Sequence, residues 1–445
     1  MPFLATAPEK KPLRAAHALA RKGKWDAAIP LYQQAVELAP NTYTIWEWLG
    51  YALLATEQYS DAAAAYRRAC DLNPDGLRRG RAFPYLNLVN CYLNAEQPDE
   101  AAGIVARMLE TAPDNADSWI CQGVVHRTFK RYPEAEKAFQ QALNLAPHNA
   151  MAMRELARFY MQNAHDYARA LEVLDHLLSK WPLDARAWNL KGQTLLRCEA
   201  IQDAKDTFER SLAIASADND QLGNRSYRGL CMFRLGKFSE ALNDFDQGES
   251  SINGRFLAYN GRGVIMSRIE RPLDALMWYE AALSLLPSTA VQTNKAETLA
   301  RLGRLDEAEA ILDKLLAEEY DAMGAWAVRG IVATYQGRHD EALAAFNRSL
   351  ALNPRYATNY VEFARLLLVL SDANHARSVI ERALALDPND AGAWQVKGQL
   401  LWALGMPEEA QAAEKQGSAL LTNQQAQVDA WLQAREQRGE PAGPR

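Results

Sequence analysis

Gly229, Gly236 and Lys237 have the chemistry of a phosphate site, but six residues separate the first glycine from the Gly-Lys pair where a phosphate-binding loop needs four. Phe238 then stands where a serine or threonine would hold magnesium, so the loop is excluded. Gly261-Arg262-Gly263 has glycines suited to a dinucleotide turn, yet it falls inside a helical pattern and not at a strand-to-helix junction. The seven histidines, His17, His126, His148, His165, His176, His339 and His375, are scattered. Cys121 and His126 lie five positions apart, which aims them at different sides of a helix, and no zinc site follows. Acidic pairs such as Asp306-Glu307 and Glu408-Glu409 sit at helix starts, where they favour the positive end of the dipole. These spacings imply no enzyme, no metal and no cofactor.

What does recur is a ladder. Twelve alanines, from Ala28, Ala62 and Ala101 through Ala376 and Ala410, repeat at steps of 33 to 39 residues. That step is the length of one helix-turn-helix unit, and chains of such units stack into a solenoid instead of closing one globular core. About twelve residues before each alanine stands a second residue, Gly or Ala in eleven of the twelve units, with Val89 the exception. A mid-helix glycine costs roughly 1 kcal/mol relative to alanine, so its recurrence marks points where the two helices of a unit cross closely. Four residues after most of the alanines comes a large side chain, among them Tyr32, Tyr66, Phe139, Phe208, Phe245 and Phe346, on the same helical face. Aromatic residues such as Trp46, Trp119, Trp188 and Trp394 lie four before the small residue, and prolines such as Pro40, Pro113, Pro182 and Pro388 close the units.

Taken together, Trp46, Leu49, Gly50, Ala62, Tyr66, Ala69 and Pro74 resemble one tetratricopeptide repeat, and about twelve copies run in phase. The resemblance implies an all-α, right-handed superhelical α-solenoid. One solenoid is expected over 9–420, a capping helix over 421–437 around Val428, Trp431 and Leu432, and a disordered tail over 438–445. In this family the first helices line the concave side. Transferred to this chain, the groove presents Trp48, Tyr51, Asn87, Asn90, Arg154, Arg158, Arg186, Asn189, Gln193, Arg197, Arg234, Arg268, Arg301, Arg365 and Gln399. Arginine grips carboxylate with two parallel hydrogen bonds, so such a groove suits an extended, acidic peptide. Arg197, Arg234, Arg268 and Arg301 also fall near helix ends, where a cation favours the dipole without any partner. The family's two-carboxylate clamp for chaperone tails is not reproduced by Leu13, His17, Asn87 and Asn90.

Composition sets the remaining bounds. With 49 basic and 55 acidic residues the 445-residue chain carries a net charge of -6, which argues against nucleic acid as the partner. No stretch approaches the roughly 18 apolar residues of a membrane span, and no secretory signal is read at the start. Five cysteines, Cys70, Cys91, Cys121, Cys198 and Cys231, are expected as buried thiols in a reducing compartment, hence the cytoplasm. The 39-residue step inserts an exposed basic loop, Asp75 to Arg81, and the polar seams at 216–224 and 248–254 are expected to flex. The leading function is a scaffold or adaptor that binds a protein segment. The alternative is a regulatory or substrate-recruiting subunit for an enzyme on another chain.

Overall fold

The computed structural model describes residues 8–80, 82–214, 223–249, 252–318, 322–352, 354, 357–441 and 443–444. Among them there are 24 helices and no strand. They form two compact units, Met1–Pro182 and Leu183–Arg445.

The first unit holds five helical hairpins. They are α1 (Lys10–Ala20) with α2 (Trp25–Leu38), α3 (Tyr43–Ala55) with α4 (Tyr59–Leu72), α5 (Phe83–Asn94) with α6 (Pro98–Thr111), α7 (Ala116–Thr128) with α8 (Tyr132–Leu145), and α9 (Ala150–Gln162) with α10 (Tyr167–Lys180). The second unit holds seven. It begins with α11 (Ala185–Arg197) and α12 (Ile201–Ile214), α13 (Asn224–Arg234) and α14 (Phe238–Gln247), then α15 (Ile252–Arg268) and α16 (Pro272–Leu285). It continues with α17 (Thr289–Arg301) and α18 (Leu305–Glu318), α19 (Met323–Tyr335) and α20 (His339–Leu352), and α21 (Ala357–Val369) and α22 (Ala373–Leu386). It ends with α23 (Ala391–Ala403) and α24 (Pro407–Gln437).

The ladder alanines are the hairpin seams, and all twelve are fully buried. The small residue of the first helix lies under the large residue of the second. A Cβ added to Gly192 would sit 2.7 Å from the Phe208 ring, and one added to Gly123 would sit 2.5 Å from Phe139, so the ring takes the space a methyl would need. In the last repeat the aliphatic stem of Glu414 fills the same place against Gly398. The closing prolines have a partner as well: their carbonyls accept from the aromatic of the next first helix, Trp46 to Pro40 at 2.8 Å, Trp119 to Pro113 at 2.7 Å and Trp394 to Pro388 at 3.0 Å. One repeat is thereby tied to the next.

A second ladder runs five residues ahead of the alanines. Gly23, Glu57, Glu96, Lys130, His165, Glu199, Gly236, Glu270, Gly303, Gly337, Ser371 and Gly405 all have φ between 51° and 76°, and each ends the first helix of its hairpin. Left-handed backbone reverses the chain tightly, at about 1–2 kcal/mol for a residue with a Cβ.

The seams expected to flex are described only in part. Most of 216–224, and 250–251, lie outside the described residues, but α15 begins at Ile252, so Gly254 is helical. The Ser226 hydroxyl donates to the Gly254 carbonyl at 2.8 Å, which packs the flanks of both seams together. The segment expected as a separate capping helix is the continuation of α24, a single helix of 31 residues. Of the basic loop, Arg79 is exposed and faces Asp75 at 4.0 Å, while Arg81 lies outside the described residues. Four cysteines are buried, and burial pushes the thiols of Cys70, Cys91 and Cys231 up to about 12; Cys198 departs from the expectation by being only half-buried.

Candidate partner-binding faces

In the first unit the first-helix face begins with an aromatic patch. Trp48 and Tyr51, one turn apart on α3, are 44% and 38% exposed, which is high for residues this large. Trp48 packs edge-on against His17 of α1 with ring centres 4.8 Å apart, and Tyr51 against Trp25 at 5.3 Å. Burial, and secondarily Arg21, hold the His17 imidazole below its ordinary range. The next first helix, α5, presents amides: Asn87 donates to the Phe83 carbonyl at 3.1 Å, and the exposed Asn90 receives Asn94 on both its carbonyl and its side-chain oxygen, at 2.8 and 2.9 Å. On α9, Arg158 is half-buried and pairs with Glu155 at 2.7 Å, which also pairs with Arg127 of α7 at 3.1 Å. Arg154, one turn before Arg158, is half-buried as well.

In the second unit the corresponding helices enclose a polar chamber of about 270 Å³. Arg234, Arg268, Arg301 and Arg365 all line it, so four of the arginines expected in a groove do come together. Each faces a carboxylate of the same chain. Arg234 pairs with Glu199, Arg268 with Asp387 and Asp390 at 3.0 Å each, Arg301 with Glu297 at 2.8 Å and Glu362 at 3.1 Å, and Arg365 with Glu362 at 3.5 Å. Burial pushes the Glu297 carboxyl above its ordinary range, with Arg301 pulling the other way. Asn189 is buried: its amide donates to Asn224 at 3.0 Å and its oxygen accepts from Gln193 at 2.6 Å, so this pair joins α11 to α13. Arg186, Arg197 and Gln399 are exposed and do not line the chamber.

The last seventeen residues of α24 return to the second and third repeats of their own unit. Gln424, Val428, Trp431 and Arg435 form a buried stripe along one side of the helix. Asp246 of α14 accepts from the Trp431 indole at 2.9 Å, from Arg435 at 2.8 Å and from Arg262 of α15 at 2.7 Å. The Arg262 guanidinium is fully buried, pairs also with Glu249 at 2.6 Å, and lies 4.9 Å from the centre of the Trp278 ring. Gln427 accepts from the Ser239 amide at 3.1 Å, Gln424 donates to the Asn389 carbonyl at 2.9 Å, and Asp429 faces Arg271 at 3.3 Å. Burying Val428 and Trp431 stabilises this contact by about 1.5–3 kcal/mol each.

Among the described residues there is no group of three His, Cys, Asp or Glu side chains that could hold a metal, and no helix long and apolar enough to cross a membrane. Family profiles described as tetratricopeptide repeat match residues 13–76, 53–120, 293–357 and 333–400. A profile described as the cytochrome c-type biogenesis protein H TPR domain matches 94–222. The chain belongs to the tetratricopeptide repeat family.

As a tetratricopeptide repeat protein it is similar to protein NPGR1 of Arabidopsis thaliana, 24% identical over 191 residues, covering 39% of this chain and 28% of NPGR1. It is also similar to the peroxisomal targeting signal receptor of Saccharomyces cerevisiae, 22% identical over 286 residues, covering 60% of this chain and 41% of the receptor. The chain therefore spans less than half of either relative. Among solved structures, the APC/C hetero-tetramer Cut9-Hcn1 superposes with a TM-score of 0.51 at 14% identity, covering 97% of this chain and 91% of that one, which supports the α-solenoid.

Within this tetratricopeptide repeat solenoid, the sequence reading named the arginines but missed what they face. Glu297 and Glu362 share a helix with Arg301 and Arg365 respectively, Glu199 comes from the neighbouring repeat, and Asp387 and Asp390 come from repeats three to four away, which no local pattern links to Arg268. It also missed the site at Asp246. Arg262, set between Gly261 and Gly263, was the available clue: a charged residue at a position otherwise reserved for close packing.

Proposed function

We propose that this tetratricopeptide repeat protein is a non-catalytic scaffold that captures an extended protein segment along the first-helix face of its first five repeats. The observation that carries the reading is the exposure of Trp48 and Tyr51 beside the amides of α5, since large aromatics left in water mark interaction surfaces. Asn87 and Asn90 suit the peptide backbone of the segment, and Arg154 and Arg158 suit carboxylates in it. The family's general role as a binder of protein partners supports this, as does the assembled state of Cut9-Hcn1. Four buried cysteine thiols, Cys70, Cys91, Cys121 and Cys231, support work in a reducing compartment, in our reading the cytoplasm.

A photo-crosslinking residue at Asn90, on the first-helix face, and another at the exposed Gln33 of α2 test the assignment in cells. Adducts with one recurring protein from Asn90, lost on Trp48→Ala with Tyr51→Ala, are expected. Equal adducts from Gln33 would overturn the choice of face.

A further inference from the structure

The contact between α24 and α14 to α16 goes beyond capping. A cap covers the repeat it follows, whereas here Arg435 and Trp431 reach Asp246, 189 and 185 positions earlier in the chain. The ion pairs from Arg268 to Asp387 and Asp390 join the same two stretches of the unit, so repeats seven and eight meet repeats eleven and twelve. Repeats seven to twelve of the second unit thus close on themselves.

Three features make the closure reversible. Arg262 keeps both Asp246 and Glu249 when the helix leaves, so departure strands no buried charge in the dock, while Trp431 and Arg435 regain water. The stripe is thin: Val428 and Trp431 are its buried apolar residues, and the polar Gln424 and Arg435 bound it at either end. Gly417 and Ser418 lie between the part of α24 that completes repeat twelve and the part that crosses, and Gly/Ser pairs are where helices bend. Gly417 is required there for packing, since an added Cβ would lie 3.0 Å from the Ala391 carbonyl oxygen.

We propose that residues 421–437 are a latch: a helix held in cis on a docking site formed by Asp246, Arg262 and Trp278, whose release uncovers the dock and parts repeats seven and eight from repeat twelve. The dock takes an amphipathic helix with a tryptophan and, one turn later, an arginine. This does not depend on which segment the first five repeats capture.

Hydrogen exchange on the full chain tests it. In Trp431→Ala with Arg435→Ala, protection is expected to fall at least tenfold in residues 421–437, α14 and the end of α15, while α17 to α22 keep theirs. Collapse of protection through all seven repeats would overturn the proposal, because the helix would then be an inseparable part of the fold; so would unchanged protection. A synthetic peptide of residues 421–437 is expected to bind this variant at least tenfold more tightly than the parent chain, and equal binding would also overturn it. A second variant leaves the buried stripe intact: Ser239→Cys with Gln427→Cys, across an existing hydrogen bond, is expected to block peptide binding when oxidised and to restore the parent's weak binding when reduced. Binding that ignores the redox state would overturn the latch.

Discussion

Trp48 and Arg268 both project from first helices, yet one stands in water and the other is held by two aspartates. The difference follows the two units. In the first five repeats the corresponding face carries exposed aromatics, amides tied to their own helix, and arginines of which Arg158 shares Glu155 with Arg127 of α7. In the last seven it carries arginines paired with carboxylates of the same helix, of the neighbouring repeat or, for Arg268, of repeats three to four away, and the unit's own last helix packs on α14. One ladder of alanines and glycines thus supports two surfaces, one with exposed aromatics beside amides and one whose arginines are paired within the chain, with Tyr335 and Trp402 exposed elsewhere on its first helices.

The largest effect that would break this comparison is expected at Arg262. Arg262→Ala leaves Glu249 without its buried cation and Asp246 with Arg435 as its one buried cation, and should destabilise the second unit by about 3 kcal/mol while the first keeps its own stability. Segment-resolved hydrogen exchange separates the two; equal loss in both units would mean that they do not behave independently. Next, Trp48→Ala with Tyr51→Ala should cost about 2 kcal/mol or more in partner capture with an unchanged melting temperature. Arg268→Ala should do the reverse, lowering the melting temperature and sparing capture. A smaller effect lies in the left-handed turns. Lys130→Gly should stabilise the first unit by about 1 kcal/mol, and Gly303→Lys should destabilise the second by as much, both read from denaturant midpoints.

Acidity should move the units in opposite directions, by the least of all. The folded His17 binds its proton less readily than the unfolded one, so its contribution to stability is present above 6.5 and is lost as pH falls below it. Glu297 binds its proton more readily when folded, so its penalty appears as pH rises through 4.5 and fades on acidification. Melts of His17→Gln and Glu297→Gln at pH 7 and pH 5.5 check both signs: the first variant should gain on the parent at the lower pH, the second at the higher.

The hairpins were legible because their signal is local and repeated. Ala241, Gly229 and Phe245 lie within sixteen residues of one another, and one pattern predicts all three roles. The left-handed ladder stayed hidden, since seven of its twelve members are Glu, Lys, His or Ser, which carry no turn signature when read singly. The chamber was half legible. Arg234, Arg268, Arg301 and Arg365 could be placed by their register on first helices, but pairing Arg268 with Asp387 needs the curvature of three intervening repeats, which no local pattern encodes. Val428, Trp431 and Leu432 were recognised as a helical stripe with the wrong neighbour: the last repeat was expected under it, and α14 lies there.

This closure also limits how the chain can change by duplication. A solenoid that ends free can gain or lose a 34-residue module and still fold, because every module asks only for neighbours like itself. Repeats seven to twelve have no such freedom, since removing one would carry Trp431 and Arg435 away from Asp246 and leave Arg268 without its aspartates. Copy number is therefore fixed from repeat seven onward by a geometric condition that the repeats before it do not face.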